Sequence, residues 1–376
     1  MKSIALLLLI FTALTAQSFF NPNGLGEVTL PADARFIALG NPSALTPGNP
    51  GNYFDLAQTR IKLTLTGTGL TARQHYYQRA LGTVRPTGIY AAVPLPTHTR
   101  LLLSVDSRFN QDFDVWSESL ADTILRFHIV SRGGIHSFNF GVSQPLFNRL
   151  CLGAQFQQLI GGSRENWHYW AEGLVATDTI EIDYSARTFR LGAAGRLARL
   201  TLTGFYDLPF QLTATRFKHL HGVASDSLRN YRIHLPATLS FGFTAGPFYK
   251  TQISTGFELR NWANTTIDNL PAGYQNVWRA SIGIEYEQFP GYPFRLGYST
   301  GRWYCSTVAG GRISESAVHL GTGVLLPKFG TLDIAGEVIF RKGETPAGFI
   351  SETAGHLHLT IAYEESWKKR TRRWGY

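Results

Sequence analysis

Residues 316–341 read SAVHLGTGVLLPKFGTLDIAGEVIFR. Two extended stretches lie either side of Pro327-Lys328, and in the second Leu332, Ile334, Val338 and Phe340 oppose Asp333, Glu337 and Arg341. A period of two gives a strand one apolar and one wet face. Proline beside lysine allows only a tight reversal, so the stretch is a hairpin. In the first arm His319, Gly321 and Gly323 fall on the side away from the apolar face.

The same unit recurs along the chain. Leu200, Leu202, Tyr206 and Leu208 oppose Thr201, Thr203 and Asp207, and Ile253, Phe257 and Leu259 oppose Gln252, Glu258 and Arg260. At the end Leu357, Leu359, Ile361 and Tyr363 oppose His356, His358 and Thr360. About fourteen strands fit between residues 59 and 364, with tight and long connections alternating, the rhythm of a membrane barrel. Registers chosen on apolar residues alone put Lys62, Arg100, Asp106, Arg108, Arg190, Arg279, Glu285 and Arg295 on the opposite face. A cation facing lipid at midplane costs roughly 2–4 kcal/mol, so a bilayer demands this segregation.

A secreted soluble sandwich also alternates. Three features favour the membrane: strands of about 10–14 residues against the usual 5–6 of soluble sheets, aromatics such as Tyr249, Trp278 and Tyr298 near strand ends, and a polar face rich in glycine. The expectation is an all-β protein, a transmembrane antiparallel β-barrel of about fourteen strands with an N-terminal plug-like segment.

The chain opens on Lys2 and an apolar run from Ile4 to Ala16, too short for a spanning helix and suited to a signal peptide over residues 1–18. Residues 19–58, rich in Pro, Gly and Asn, read as irregular chain ahead of the barrel at 59–364. Residues 365–376 form a basic tail expected on the periplasmic side, suited to an anionic membrane surface or to solvent. The net charge of +9 falls to +3 without Lys2 and the five tail cations, which leaves no basic face for nucleic acid. Two cysteines, Cys151 and Cys305, exclude a disulfide framework and leave their own pairing open.

Ala34-Arg35-Phe36-Ile37-Ala38-Leu39-Gly40 and Asn49-Pro50-Gly51, just before the first strand, resemble the entry segment of the long-chain fatty-acid transporter superfamily of outer-membrane proteins, which has relatives in type IX secretion. The resemblance implies an outer-membrane location, a plug within the lumen, and a hydrophobic ligand that leaves sideways through the wall. It further implies a capture groove on the third and fourth external loops. Those loops hold Trp167, Tyr169 and Trp170, and Arg216, Phe217 and Lys218. Aromatics there give contact area with a polar tip, and the cations suit a carboxylate; an interfacial belt and lipid headgroups would use the same residues.

Arg279, Glu285, Arg295, Asp333, Glu337 and Arg341 are candidate lumen charges, expected to pair with one another and with the plug or to guide a polar solute. His319, His356 and His358 point inward, but no carboxylate or cysteine lies at ligand spacing along the strand, so no metal site is expected. No Gly-x-Ser-x-Gly elbow is present, no catalytic residue stands out, and no cofactor is implied. The reading is passive uptake or transfer of a hydrophobic or amphipathic small molecule, with membrane lipids as surroundings. A barrel docking an exported or surface protein is the alternative, and an outer-membrane acyl hydrolase a weaker one.

Overall fold

The computed structural model describes residues 24–29, 32–74, 77–119, 125–146, 149–171, 174–220, 227–307, 310–327, 329–345 and 348–365. The expected signal peptide and all of the basic tail beyond Glu365 lie outside these residues, as does His221 on the fourth long connection.

Fourteen antiparallel strands close into a barrel. They are β1 (Thr59–Gln74), β2 (Tyr77–Pro94), β3 (Arg100–Asn110 and Phe113–Ser119), β4 (Leu125–Leu146), β5 (Leu150–Ala171), β6 (Leu174–Leu197) and β7 (Leu200–Asp207 and Phe210–His219). There follow β8 (Ser227–Leu235 and Thr238–Phe248), β9 (Thr251–Arg260), β10 (Val277–Phe289), β11 (Tyr292–Ser306), β12 (Arg312–Leu326), β13 (Gly330–Thr345) and β14 (Gly348–Glu365). Closure is by β1 on β14, from Thr59 opposite Glu365 to Arg73 opposite Ser351. The breaks in β7 and β8 fall side by side at Pro209 and Pro236, where a proline has no N–H to give the ladder.

The expected faces are the observed ones. Phe257 is 42% exposed on the outside while Glu258, its chain neighbour, is 4% exposed inside. Leu202, Ile334, Phe340 and Ile361 likewise point out. With nothing apolar packed over it, this band is the surface a bilayer covers. The strands run further than their alternation suggests: residues 161–171, read as loop, continue β5, and 174–182 open β6. Beyond the band both faces of a hairpin are solvated, so the apolar period fades while the backbone ladder continues.

The N-terminal segment lies inside the barrel. It is less irregular than expected, with a single helix turn, α1 (Ala34–Ala38), and a 3-10 turn at Ser43–Leu45. Asp33 caps α1 by accepting from the Phe36 N–H at 3.1 Å. The wall receives this segment on glycine. Gly153 faces Gly192, Gly242 faces Gly256, and Gly283 faces Gly297 across adjacent strands. A Cβ on Gly297 would stand 2.2 Å from the Gly40 nitrogen, and one on Gly283 2.4 Å from the Leu39 oxygen. No larger residue fits while the segment is docked.

Candidate functional site: the lumen and its side seam

Near the short-turn end, ion pairs tie the segment to the wall. Arg35 reaches Glu285 at 2.8 Å, Glu285 accepts from Arg295 at 2.6 Å, and Arg295 donates to Asp333 at 2.7 Å. Lys62 pairs with the fully buried Asp33. Burial would raise the Asp33 carboxyl, yet Lys62 and the Phe36 N–H hold it below the ordinary carboxylate value. Arg190 clasps Asp207 through Nε at 2.5 Å and Nη2 at 2.8 Å, and its Nη1 donates to the Gly48 carbonyl at 2.8 Å. Arg108 donates to the same carboxylate at 2.7 Å. Asn49, from the entry motif, is buried, donates to Ala44 O at 2.8 Å and accepts from Gly51 N–H at 2.9 Å.

Of the six lumen charges picked from sequence, Glu285, Arg295 and Asp333 thus form one chain of pairs. Arg341 holds Glu315 at 2.8 Å, Glu352 at 2.6 Å and also Glu27 of the N-terminal segment. Arg279 donates to Ser299 Oγ at 3.1 Å. Glu337 receives contacts from His319, His356 and His358. The expectation that no carboxylate stands near these histidines is corrected: Glu337 comes from β13, opposite both His319 and His356 in register. Spacing along one strand cannot show a partner from the next.

Toward the long-hairpin end the inside becomes apolar. Phe109, Ile135, Leu159, Tyr184, Leu212 and Ile313 are buried there with Leu25 of the N-terminal segment. Trp262 stacks on Tyr304 with ring centroids 4.4 Å apart, and Tyr274 meets Tyr304 edge-on at 5.1 Å. Tyr304 donates its hydroxyl to the Gly26 carbonyl at 2.7 Å. Trp262 Nε1 is buried without a hydrogen-bond partner among the described residues. A cavity of about 140 Å³ lies between Trp262, Tyr304, Thr66, Glu337, Arg341 and Val28.

These aromatics were not singled out from sequence. The signal was present: the inward parity of β11 runs Arg295, Gly297, Ser299, Gly301 and then Trp303, changing character along one face. The six residues expected to bind ligand stand on strands rather than loops, a correction with the cause given above. Trp167 and Tyr169 stack at 6.3 Å on β5, and Trp167 Nε1 donates to Glu165 at 3.1 Å. By alternation with Leu159 and Ser163 they face inward, whereas Trp170 has the opposite parity. On β7, Arg216 and Lys218 share the parity of buried Leu212 and Ala214, and Phe217 does not. The Arg216 Nε is buried with no hydrogen-bond partner among the described residues. The fold therefore brings four of the six to the inner side.

The wall has a seam. β2 pairs with β3 only from Pro94 opposite Arg100 to Gly88 opposite Asp106. Beyond that, among the described residues, 77–86 pair with β1 alone, and Thr87 falls at a shift in the β1 register. The free edge of β3 is taken instead by Val28 and Glu27, opposite Phe109 and Asn110. Inside, the seam meets the cavity at Val28, Thr29, Arg85 and Thr87. Outside, it starts beside an apolar groove of Ile89, Leu103, Val105, Phe138 and Phe140. Arg85 approaches Asp112 across it at 4.0 Å. Cys151 and Cys305 are both buried, and no disulfide joins them.

A closed antiparallel barrel with an apolar exterior, its own N-terminal segment docked inside and one strand pair unzipped, is the class this geometry defines. Its fold is that of FadL-type outer-membrane transport barrels. A Pseudomonas aeruginosa FadL homologue matches with a TM-score of 0.68 at 13% identity, over 90% of this chain and 99% of that one. The P. putida toluene transporter TodX matches at 0.62 and 15%, over 90% and 99%. The Ralstonia pickettii toluene transporter TbuX matches at 0.61 and 12%, over 89% and 99%. At these identities the likeness is one of fold. No family model matches the chain, and no curated protein matches it in sequence.

Proposed function

We propose that this chain is an outer-membrane channel through which a hydrophobic or amphipathic small molecule passes by diffusion. The molecule enters between the long hairpins, crosses the aromatic part of the lumen, and leaves sideways into the bilayer. The observation that carries this reading is the β2–β3 seam, where the ladder is unmade between an internal cavity and an apolar groove on the lipid side. A greasy solute gains nothing from an aqueous path down the barrel axis, whereas a side exit keeps it in apolar surroundings throughout. The ion-paired segment below supports the same route, because it obstructs the axial path. Neighbours of this fold are described as toluene transporters and a monoaromatic hydrocarbon channel, which supports an aromatic hydrocarbon as cargo. Trp167, Tyr169, Arg216 and Lys218 would make first contact, the cations serving any acidic head group.

Uptake of radiolabelled toluene and of a long-chain fatty acid by cells carrying the protein tests this. Thr87→Trp, which fills the inner mouth of the seam, is expected to bring uptake down to that of cells lacking the protein, with surface expression unchanged. Uptake that survives Thr87→Trp in full overturns the side route.

A further inference from the structure

We infer that Glu337, His356 and His358 form a binding site for a first-row divalent transition-metal ion, open to the lumen cavity. The reading rests on how three strands converge. His319 on β12, Glu337 on β13 and His356 on β14 lie level in register, and His358 lies one inward position along β14. Side chains level on neighbouring strands start about 5 Å apart, so all four heads meet at one place.

The Glu337 Oε1 atom is 2.7 Å from His356 Nδ1 and 3.2 Å from His358 Nε2. One ligand atom from each of the three residues lies within 4.8 Å of the other two. Bonds of about 2.1 Å in a tetrahedron set ligand atoms about 3.4 Å apart, so side-chain movements of about an ångström bring the three into place.

The surroundings prepare the nitrogens. His358 Nδ1 lies 2.9 Å from Thr66 Oγ1, a hydroxyl that would accept the Nδ1 N–H once Nε2, now 3.2 Å from Glu337 Oε1, turns its lone pair to an ion. His319 is wholly buried; its Nε2 is 3.0 Å from Ser299 Oγ, and its Nδ1 stands 3.0 Å from Glu337 Oε2 outside hydrogen-bonding geometry. It fixes the second carboxylate oxygen as a positioning residue, or supplies a fourth nitrogen. Further up, Arg341 is met by Glu27, Glu315 and Glu352, which hold that cation on its own partners and away from Glu337. Two imidazoles with a carboxylate suit Zn²⁺, Cu²⁺ or Ni²⁺ over Ca²⁺ or Mg²⁺. Glu337, His356 and His358 all line the cavity, so an ion reaches them from the lumen.

The test uses the full chain without a histidine tag, in detergent, stripped with chelator and titrated with Zn²⁺ by calorimetry. One ion per chain is expected, with affinity lowered at least about 100-fold in His356→Asn/His358→Asn and roughly 10-fold in His319→Gln. Should the double variant fail to insert, Cu²⁺ paramagnetic resonance on the unaltered protein decides, with hyperfine structure from two or three imidazole nitrogens expected. No saturable Zn²⁺ binding, an unchanged double variant, or a Cu²⁺ signal without that nitrogen structure overturns the site and leaves a carboxylate braced by histidines. The uptake experiment is independent of either result.

Discussion

The two ends of the lumen solve opposite problems. At the short-turn end the inward positions carry Arg190, Asp207, Glu285, Arg295 and Asp333, each paired, and the N-terminal segment sits on glycine with its backbone against the wall. At the other end the buried side chains include Trp262, Trp303, Tyr304, Tyr184 and Ile313, and a cavity opens beside the first three. Buried charge with fixed partners gives one arrangement and penalises every other, since a lost partner leaves a bare ion in a dry place. Apolar contact is non-directional and accepts many shapes. On the function proposed above, the first end stays shut and the second receives.

The largest effect should come from attacking the shut end. Gly283→Val and Gly297→Val each place a side chain where Leu39 and Gly40 now lie. Overpacking of this kind costs about 1–3 kcal/mol or more, and here it is relieved by undocking the segment. Planar-bilayer recordings should show steady ion conductance in these variants and near silence in the parent. Equal conductance would mean that the segment does not close the barrel.

A smaller effect follows from pH. Because Asp33 titrates below its ordinary value when docked, its contribution is complete above about pH 4 and is lost as pH falls through the lower docked value. Acid should therefore open the barrel in the same recordings. Lys62→Met removes the cation and leaves burial dominant, so the opening should move to higher pH. An unshifted midpoint would deny the Lys62–Asp33 pair its role.

The smallest effect probes the receiving end. Trp262→Phe keeps most of the ring contact with Tyr304 and deletes the free Nε1 donor. Binding of a fatty acid, measured by displacement of a fluorescent lipid, should weaken by about 1 kcal/mol, the worth of an ordinary hydrogen bond. Toluene binding should stay within error. Equal losses for both ligands would make the site a purely apolar one.

Much of this architecture was legible in the chain because a bilayer punishes misplaced charge position by position. The outward set Phe257, Ile334, Phe340 and Ile361 and the inward set Glu285, Arg295 and Asp333 follow from period two alone. Strand number, order of connections and a glycine-rich inner face were legible for the same reason. Strand ends above the apolar band were not, because a hairpin in water needs no greasy face; Trp167 and Arg216 therefore belong to β5 and β7 rather than to loops.

Sequence by itself determined which side of most strands meets lipid, since that choice depends on neighbours two residues away; residues 86–95, apolar on both faces and interrupted by Pro94, were the exception. Tertiary structure alone decided which inward groups meet: Glu337 with three histidines, Arg35 with Glu285, Gly40 against Gly297, and the ladder left unmade between β2 and β3. Some of those contacts join residues 250 or more positions apart, as in Arg35 and Glu285. They depend on register and closure, which local pattern does not encode.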